Sequence, residues 1–224
     1  MKKIFIILSL GILMLSCNSM KPKETKKMKD LNYEMKTKTY EIKWIMPETP
    51  YEIINVQINS EFEKEKEDIM GMGDEFSAEM AKRHQTTSLL PFILRGKYEV
   101  VENDLDIYSL IYKVYEYTGG AHGMESYTIY NISKKTGKPV DLEKMLGKGY
   151  EKKIIDTINK KIAENKKLGE DDPNKIYYST DEITTLEGSD FYFKDKSLII
   201  VFSECEIAPY SSGKIEYEFP ISEF

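Results

Sequence analysis

The chain has 224 residues, a formal net charge of −6, two cysteines and two histidines. Its length accommodates one large domain or two small ones. The acidic balance weighs against nucleic acid as a partner, which needs clustered positive charge. The scarcity of cysteine and histidine weighs against a disulfide framework or a histidine-built metal site.

The N-terminus reads MKKIFIILSLGILMLSC, with Lys2 and Lys3 ahead of an apolar run from Ile4 to Leu15 and the small Ser16 before Cys17. This is the three-part pattern of an export signal. The run is shorter than the roughly 20 apolar residues needed to span a bilayer. Met14-Leu15-Ser16-Cys17 resembles the bacterial lipobox, with Met14 where leucine is usual. The resemblance implies that residues 1–16 are a lipoprotein signal peptide and that Cys17 carries the lipid. The mature chain would then sit outside the cytoplasm, at the cell surface or in the periplasm. Two or three acyl chains anchor stably, at about 0.8 kcal/mol per buried methylene. Removing residues 1–16 takes away two lysines and no acid. The mature chain is therefore more acidic still, a balance that serves solubility and also suits a cationic protein partner.

Residues 17–38 are polar and lysine-rich and read as a flexible tether. The folded part is expected from Thr39. TYEIKWIM and IINVQI are rich in β-branched and aromatic residues and read as strands separated by the turn PETP. Ser60 and Glu63 have the spacing of a helix capping box. Beyond them Phe62, Ile69, Phe76 and Arg83 recur every seven residues, with Met72 and Met80 nearby, which predicts an amphipathic helix weakened at Gly71 and Gly73. FILRGKYEVVEN, LDIYSLIYKVYEY and ESYTIYNIS predict three strands of an antiparallel meander.

KKTGKP is a turn and VDLEKML leads towards a helix. YEKKIIDTINKKIAENK places Ile154, Ile155, Ile158 and Ile162 on one helical stripe. LGEDDPNK is a loop, DFYFKDKSLIIVFSECEIA a hairpin turning at Asp195-Lys196, and KIEYEFP a last strand. In FSECEIA, Cys205 shares strand parity with Val201 and Ile207, as a buried small hydrophobe would. Helices set against antiparallel strands give an α+β fold rather than alternating βαβ units.

Several chemistries have no signature here. There is no G-x-S-x-G elbow, Walker A loop, H-E-x-x-H helix or C-x-x-C pair. His84 and His122 are far apart in sequence, and no metal or other cofactor is expected. Glycoside hydrolysis would need two carboxylates about 5–10 Å apart. Glu204 with Glu206, or Glu116 with Glu125, could supply them, although an acidic β protein offers such pairs on solvated faces by chance.

The most specific local feature is the loop Tyr117, Thr118, Gly119, Gly120, Ala121, His122 and Gly123, between two strands. Its glycines suit a tight turn without invoking function. His122 is not required by the turn. It can donate to a loop carbonyl, contact a ligand or act as a general base. Tyr115, Glu116, Glu125 and Tyr127 border the loop as a candidate surface, and tyrosines can stack on sugars or anchor an interface. The strand tyrosines occupy both parities, so some belong to the core.

YTGGAHG, YNISKKTGKPVDLEKML, the following helix and FSECEIAPYSSG together resemble a known extracytoplasmic pair. The first part resembles the small domain that precedes the catalytic domain of PdaC-type peptidoglycan deacetylases. The second resembles the domain of unknown function that follows it, which also occurs in RsiV-type anti-sigma factors. The resemblance implies two small interlocked domains, residues 39–136 and 137–224. Deacetylation in that family belongs to a separate metal-binding catalytic domain. RsiV-type proteins add a sigma-binding segment and a membrane helix, where this chain has a lipobox. What the resemblance leaves is extracellular recognition, with a lysozyme-like hydrolase or peptidoglycan as partner. A binding module is therefore expected rather than an enzyme. The alternatives are a hydrolase acting on envelope glycan through His122 or Glu116, and a purely structural envelope protein.

Overall fold

The structure, a computed structural model, describes residues 31–85 and 89–224. Residues 1–16, the expected signal peptide, and Cys17 lie outside the described residues. Five strands form one sheet: β1 (Leu31–Lys36), β2 (Tyr40–Met46), β3 (Phe92–Val101), β4 (Ile107–Tyr117) and β5 (Met124–Ser133), in chain order. Three more form a second sheet in chain order: β6 (Asp190–Lys194), β7 (Ser197–Phe202) and β8 (Ile215–Pro220). Helix α1 (Glu52–Lys82) packs on the first sheet. The short α2 (Leu142–Leu146) and α3 (Tyr150–Asn165) accompany the second. Among the described residues no helix is long and apolar enough to cross a membrane.

Four expectations need correction. Leu31–Lys36 is a strand and not tether, because Tyr33 and Met35 alternate onto the core face opposite Trp44 and Ile42. IINVQI is helix. Its β-branched residues suggest a strand, but Ile54, Ile58, Phe62 and Ile69 are buried at helical spacing and continue the stripe beyond it. Ser60 and Glu63 are therefore exposed mid-helix residues and not a capping box. Asn55 ties the helix start down instead, accepting from the Thr49 amide at 2.8 Å and donating to the Thr49 carbonyl at 2.9 Å. Finally, because α1 connects them, β2 and β3 run parallel, giving one βαβ crossover in an otherwise antiparallel sheet. The α+β class stands, and the meander β3–β4–β5 is antiparallel throughout.

The first core lies between α1 and the sheet, around Ile42, Trp44, Leu94, Leu110 and Tyr112. The second sets Ile154, Ile158 and Ile162 of α3 against Leu198, Ile200 and Phe219. Burying each of those isoleucines contributes about 1.5–3 kcal/mol.

A third apolar cluster joins the sheets, with Val101 and Ile111 of the first against Tyr192, Ile199 and Val201 of the second. Polar side chains fix the register of this seam. Buried Ser109 donates to Asn131 Oδ1 at 2.8 Å and accepts the Phe193 amide at 3.2 Å. The Asn131 amide donates to the Phe191 carbonyl at 2.6 Å. The free edge of β6 is thus satisfied by side chains of β4 and β5, and the second sheet covers one end of the outer face of the first. The other end stays open.

Candidate functional site

The strands β4 and β5 end in the glycine loop. Gly119 and Gly120 take φ values of 97° and 102°, a region unfavourable to any residue with a Cβ. Gly123 has a different reason: a Cβ there would lie 2.5 Å from both the Glu116 carbonyl oxygen and Cζ of Tyr115. The Tyr115 ring therefore packs directly against the loop backbone. Tyr117 closes the turn by donating from its hydroxyl to the Gly120 carbonyl at 3.1 Å.

This shape holds His122 outward, where its ring stacks on Tyr210 at 4.4 Å between centroids and 16° between planes. His122 Nδ1 lies 3.0 Å from the Gly123 carbonyl oxygen, and the Tyr210 hydroxyl donates to that same oxygen at 3.3 Å. Tyr210 begins a 3-10 turn, Tyr210–Ser212, between β7 and β8. The two most distinctive stretches of the sequence, YTGGAHG and EIAPYSSG, come from different sheets and meet here. Both rings are exposed.

The candidate surface beside the loop divides. Tyr115, Glu125 and Tyr127 share the outer face of the sheet, because Tyr115 pairs with Glu125 and the next outward position of β5 is Tyr127. Glu116 faces the other way, towards α1, where burial and then Glu65 and Asp68 raise its pKa. Glu116 and Glu125 thus lie on opposite faces of the sheet and cannot flank one glycosidic bond. The second carboxylate pair does not share a strand face. Strand β7 stops at Phe202, so Glu204, Cys205 and Glu206 occupy a turn. Cys205 is exposed, with φ 65°, and not a buried strand residue.

Of the tyrosines, Tyr108 and Tyr112 are core. Burial pushes up the Tyr130 pKa, to about 12. On the outer face, Tyr127 donates to Glu125 Oε2 at 3.0 Å, and Lys113 forms an ion pair with the same carboxylate. Burial alone would raise the pKa of Glu125, but the bonds from Lys113 and Tyr127 hold it below the usual carboxylate range. Lys113 and Lys214 both lie over the Tyr127 ring, at 5.5 and 5.6 Å.

Two adjoining depressions of about 430 and 440 Å³ open on this face and share Lys97 and Lys113. The lysines were not singled out in the sequence. Their signal was the strict alternation of charge along β3, which only strand register converts into a face. Among the described residues, no three histidines, cysteines or carboxylates gather as metal ligands.

Two family models match consecutive parts of the chain. Residues 21–125 match the family model described as Deacetylase PdaC, and residues 143–222 match Protein of unknown function DUF3298. The anti-sigma-V factor RsiV of Bacillus subtilis is 30% identical over 130 residues, covering 55% of this chain. The chain spans 44% of the length of that relative. A crystal structure of a DUF3298 family member from Bacteroides fragilis superposes with a TM-score of 0.61 at 16% identity, covering 90% of this chain and 93% of the other. One from Pseudomonas aeruginosa gives 0.55 at 16% identity, covering 89% and 92%. Both share the fold.

Proposed function

Because this chain joins a PdaC-type domain to a DUF3298 domain, we propose that it is an extracytoplasmic binding module of the bacterial cell envelope, held to the membrane by lipid on Cys17. Its ligand is a lysozyme-like hydrolase or a peptidoglycan fragment. The observation that carries this reading is the exposed His122–Tyr210 stack where the loops of the two sheets meet. An amphipathic ring pair tied at both rings to the Gly123 carbonyl suits recognition of a sugar face or a protein surface. The acidic net charge favours a cationic protein partner.

Binding is a better fit than catalysis. The carboxylates nearest the loop in sequence lie on opposite faces of the sheet, so no pair of them accompanies His122. The test uses the soluble chain from residue 18 with an animal-type lysozyme at low and moderate salt. Saturable binding that survives moderate salt and is lost in Tyr210→Ala is expected. Binding that disappears with salt would reduce the interaction to charge attraction. If lysozyme does not bind, muropeptides test the other ligand, and failure of both overturns the proposal. An altered muropeptide product profile that requires His122 would establish an enzyme instead.

A further inference from the structure

The outer face of the five-stranded sheet carries a feature that the loop seam does not explain. Lys43 of β2 pairs in register with Arg95 of β3, and Lys97 of β3 pairs with Lys113 of β4. Two pairs of like charges therefore stand directly opposite each other on the same face, an arrangement that destabilises a sheet. Lys214, next to β8, adds a fifth cation to the lining of the two depressions, against the carboxylates Glu99 and Glu125. This concentration of positive charge lies in a chain whose net charge is −6.

The cations differ in how they are held. Lys43 meets Glu34 at the rim at 3.0 Å, and Arg95 meets Glu41 at 3.2 Å. Lys113 is paired with Glu125, and Lys214 with Glu216 at 2.6 Å. Glu34 is 68% exposed, so that pair contributes little and can be exchanged for a ligand anion. Among the described residues Lys97 is not in a salt bridge, and its charge acts on Glu125 from a distance. The floor between the cations is aromatic: Tyr115 lines one depression and Tyr127 the other. Tyr127 is fixed by its bond to Glu125, and Tyr115 by its packing under Gly123.

We propose that this trough is a second binding surface, for an acidic glycan whose carboxylates meet Lys97, Lys113 and Lys214 and draw the last two off the Tyr127 ring, so that its sugar rings lie against Tyr115 and Tyr127. Opposed cations are what a chain of repeating negative charge needs, and the ligand relieves the repulsion between them. The fixed tyrosine rings select a sugar polymer over a bare polyanion, since stacking needs an apolar ring face. The open sheet face admits a chain that passes through, rather than a small molecule enclosed on all sides.

The test is titration of the soluble chain from residue 18 with fluorescently labelled oligogalacturonate, alongside neutral maltooligosaccharide and inorganic polyphosphate. Saturable binding of the galacturonate is expected, with no binding of the neutral sugar. Lys97→Glu should weaken it at least tenfold, whereas Lys160→Glu on the exposed side of α3 leaves it unchanged. Tyr127→Leu, checked for folding by circular dichroism, should weaken galacturonate binding more than polyphosphate binding. Equal losses in Lys97→Glu and Lys160→Glu would overturn the site. Polyphosphate binding as tight as galacturonate and indifferent to Tyr127→Leu would overturn the glycan assignment, and absence of galacturonate binding would overturn both. Lys97→Glu should keep its binding to lysozyme, so failure of the trough and failure of the seam proposal are read separately.

Discussion

Ser109 and Asn131 face each other on paired strands and hydrogen-bond at 2.8 Å, while each also serves the backbone of β6. Two side chains of the first sheet thus satisfy the edge of the second. A buried amide or carbonyl left without a partner costs about 1–3 kcal/mol. Asn131→Ala abandons the Phe191 carbonyl and one bond of Ser109, and should lower stability by about 2–4 kcal/mol in urea unfolding. Ser109→Ala should cost about 1–3 kcal/mol. A double variant that loses less than the sum would identify the pair as one network.

Gly96 is pinned by the core. A Cβ there would lie 2.4 Å from the Trp44 ring and 2.6 Å from the Tyr112 hydroxyl. Gly96→Ala should cost about 1–3 kcal/mol through forced repacking. Trp44 is the chain's single tryptophan, so intrinsic fluorescence reports the displacement directly.

The His122–Tyr210 stack should be measurable as a coupling. In a double-mutant cycle with His122→Ala and Tyr210→Ala, the interaction should amount to about 0.5–1.5 kcal/mol in stability. Zero coupling would mean that the rings touch without holding the seam together.

Stability should rise modestly as pH falls from neutral towards the carboxylate range. Burial raises the folded pKa of Glu61, with Thr128 opposing and Glu65 reinforcing it, and burial also raises Asp190 and Glu116. A carboxyl whose folded pKa exceeds its unfolded value favours the folded state below the unfolded pKa. That contribution is lost as pH rises through the folded pKa. Glu61→Gln keeps an acceptor for the Thr128 hydroxyl and should raise the neutral-pH melting temperature while flattening its dependence on pH. At still lower pH the sign reverses. Hydrogen bonding from Lys36 outweighs burial and, with Arg95, depresses Glu41. Its stabilisation is present above the unfolded pKa and disappears as pH falls through the folded one.

Cys205 is exposed in a turn at φ 65°. It should therefore react fully with a maleimide in the folded chain, without denaturant, as mass spectrometry will read. Protection until unfolding would contradict the turn geometry. Cys205→Gly should be tolerated or mildly stabilising, since glycine adopts positive φ without strain.

The sequence by itself determined the class of the fold and most of its elements. The isoleucine stripe of α3, the three strands of the meander and the turn at Asp195-Lys196 are local patterns whose period or turn chemistry requires no partner. It also marked the glycine loop, because positive φ and close approach are written in the glycines themselves. It misread IINVQI, where β-branched composition outweighed a helical stripe that becomes visible only when carried forward to Phe62 and Ile69. It misread FSECEIA because strand parity continues on paper after the hydrogen-bonded ladder has ended. Tertiary structure alone decided that β2 and β3 run parallel, that Glu116 and Glu125 part company across the sheet, and that His122 rests on Tyr210. It also aligned Lys97 with Lys113. Each depends on the pairing of residues distant in sequence, set by strand register and sheet packing, and no local propensity encodes which residue will stand opposite which.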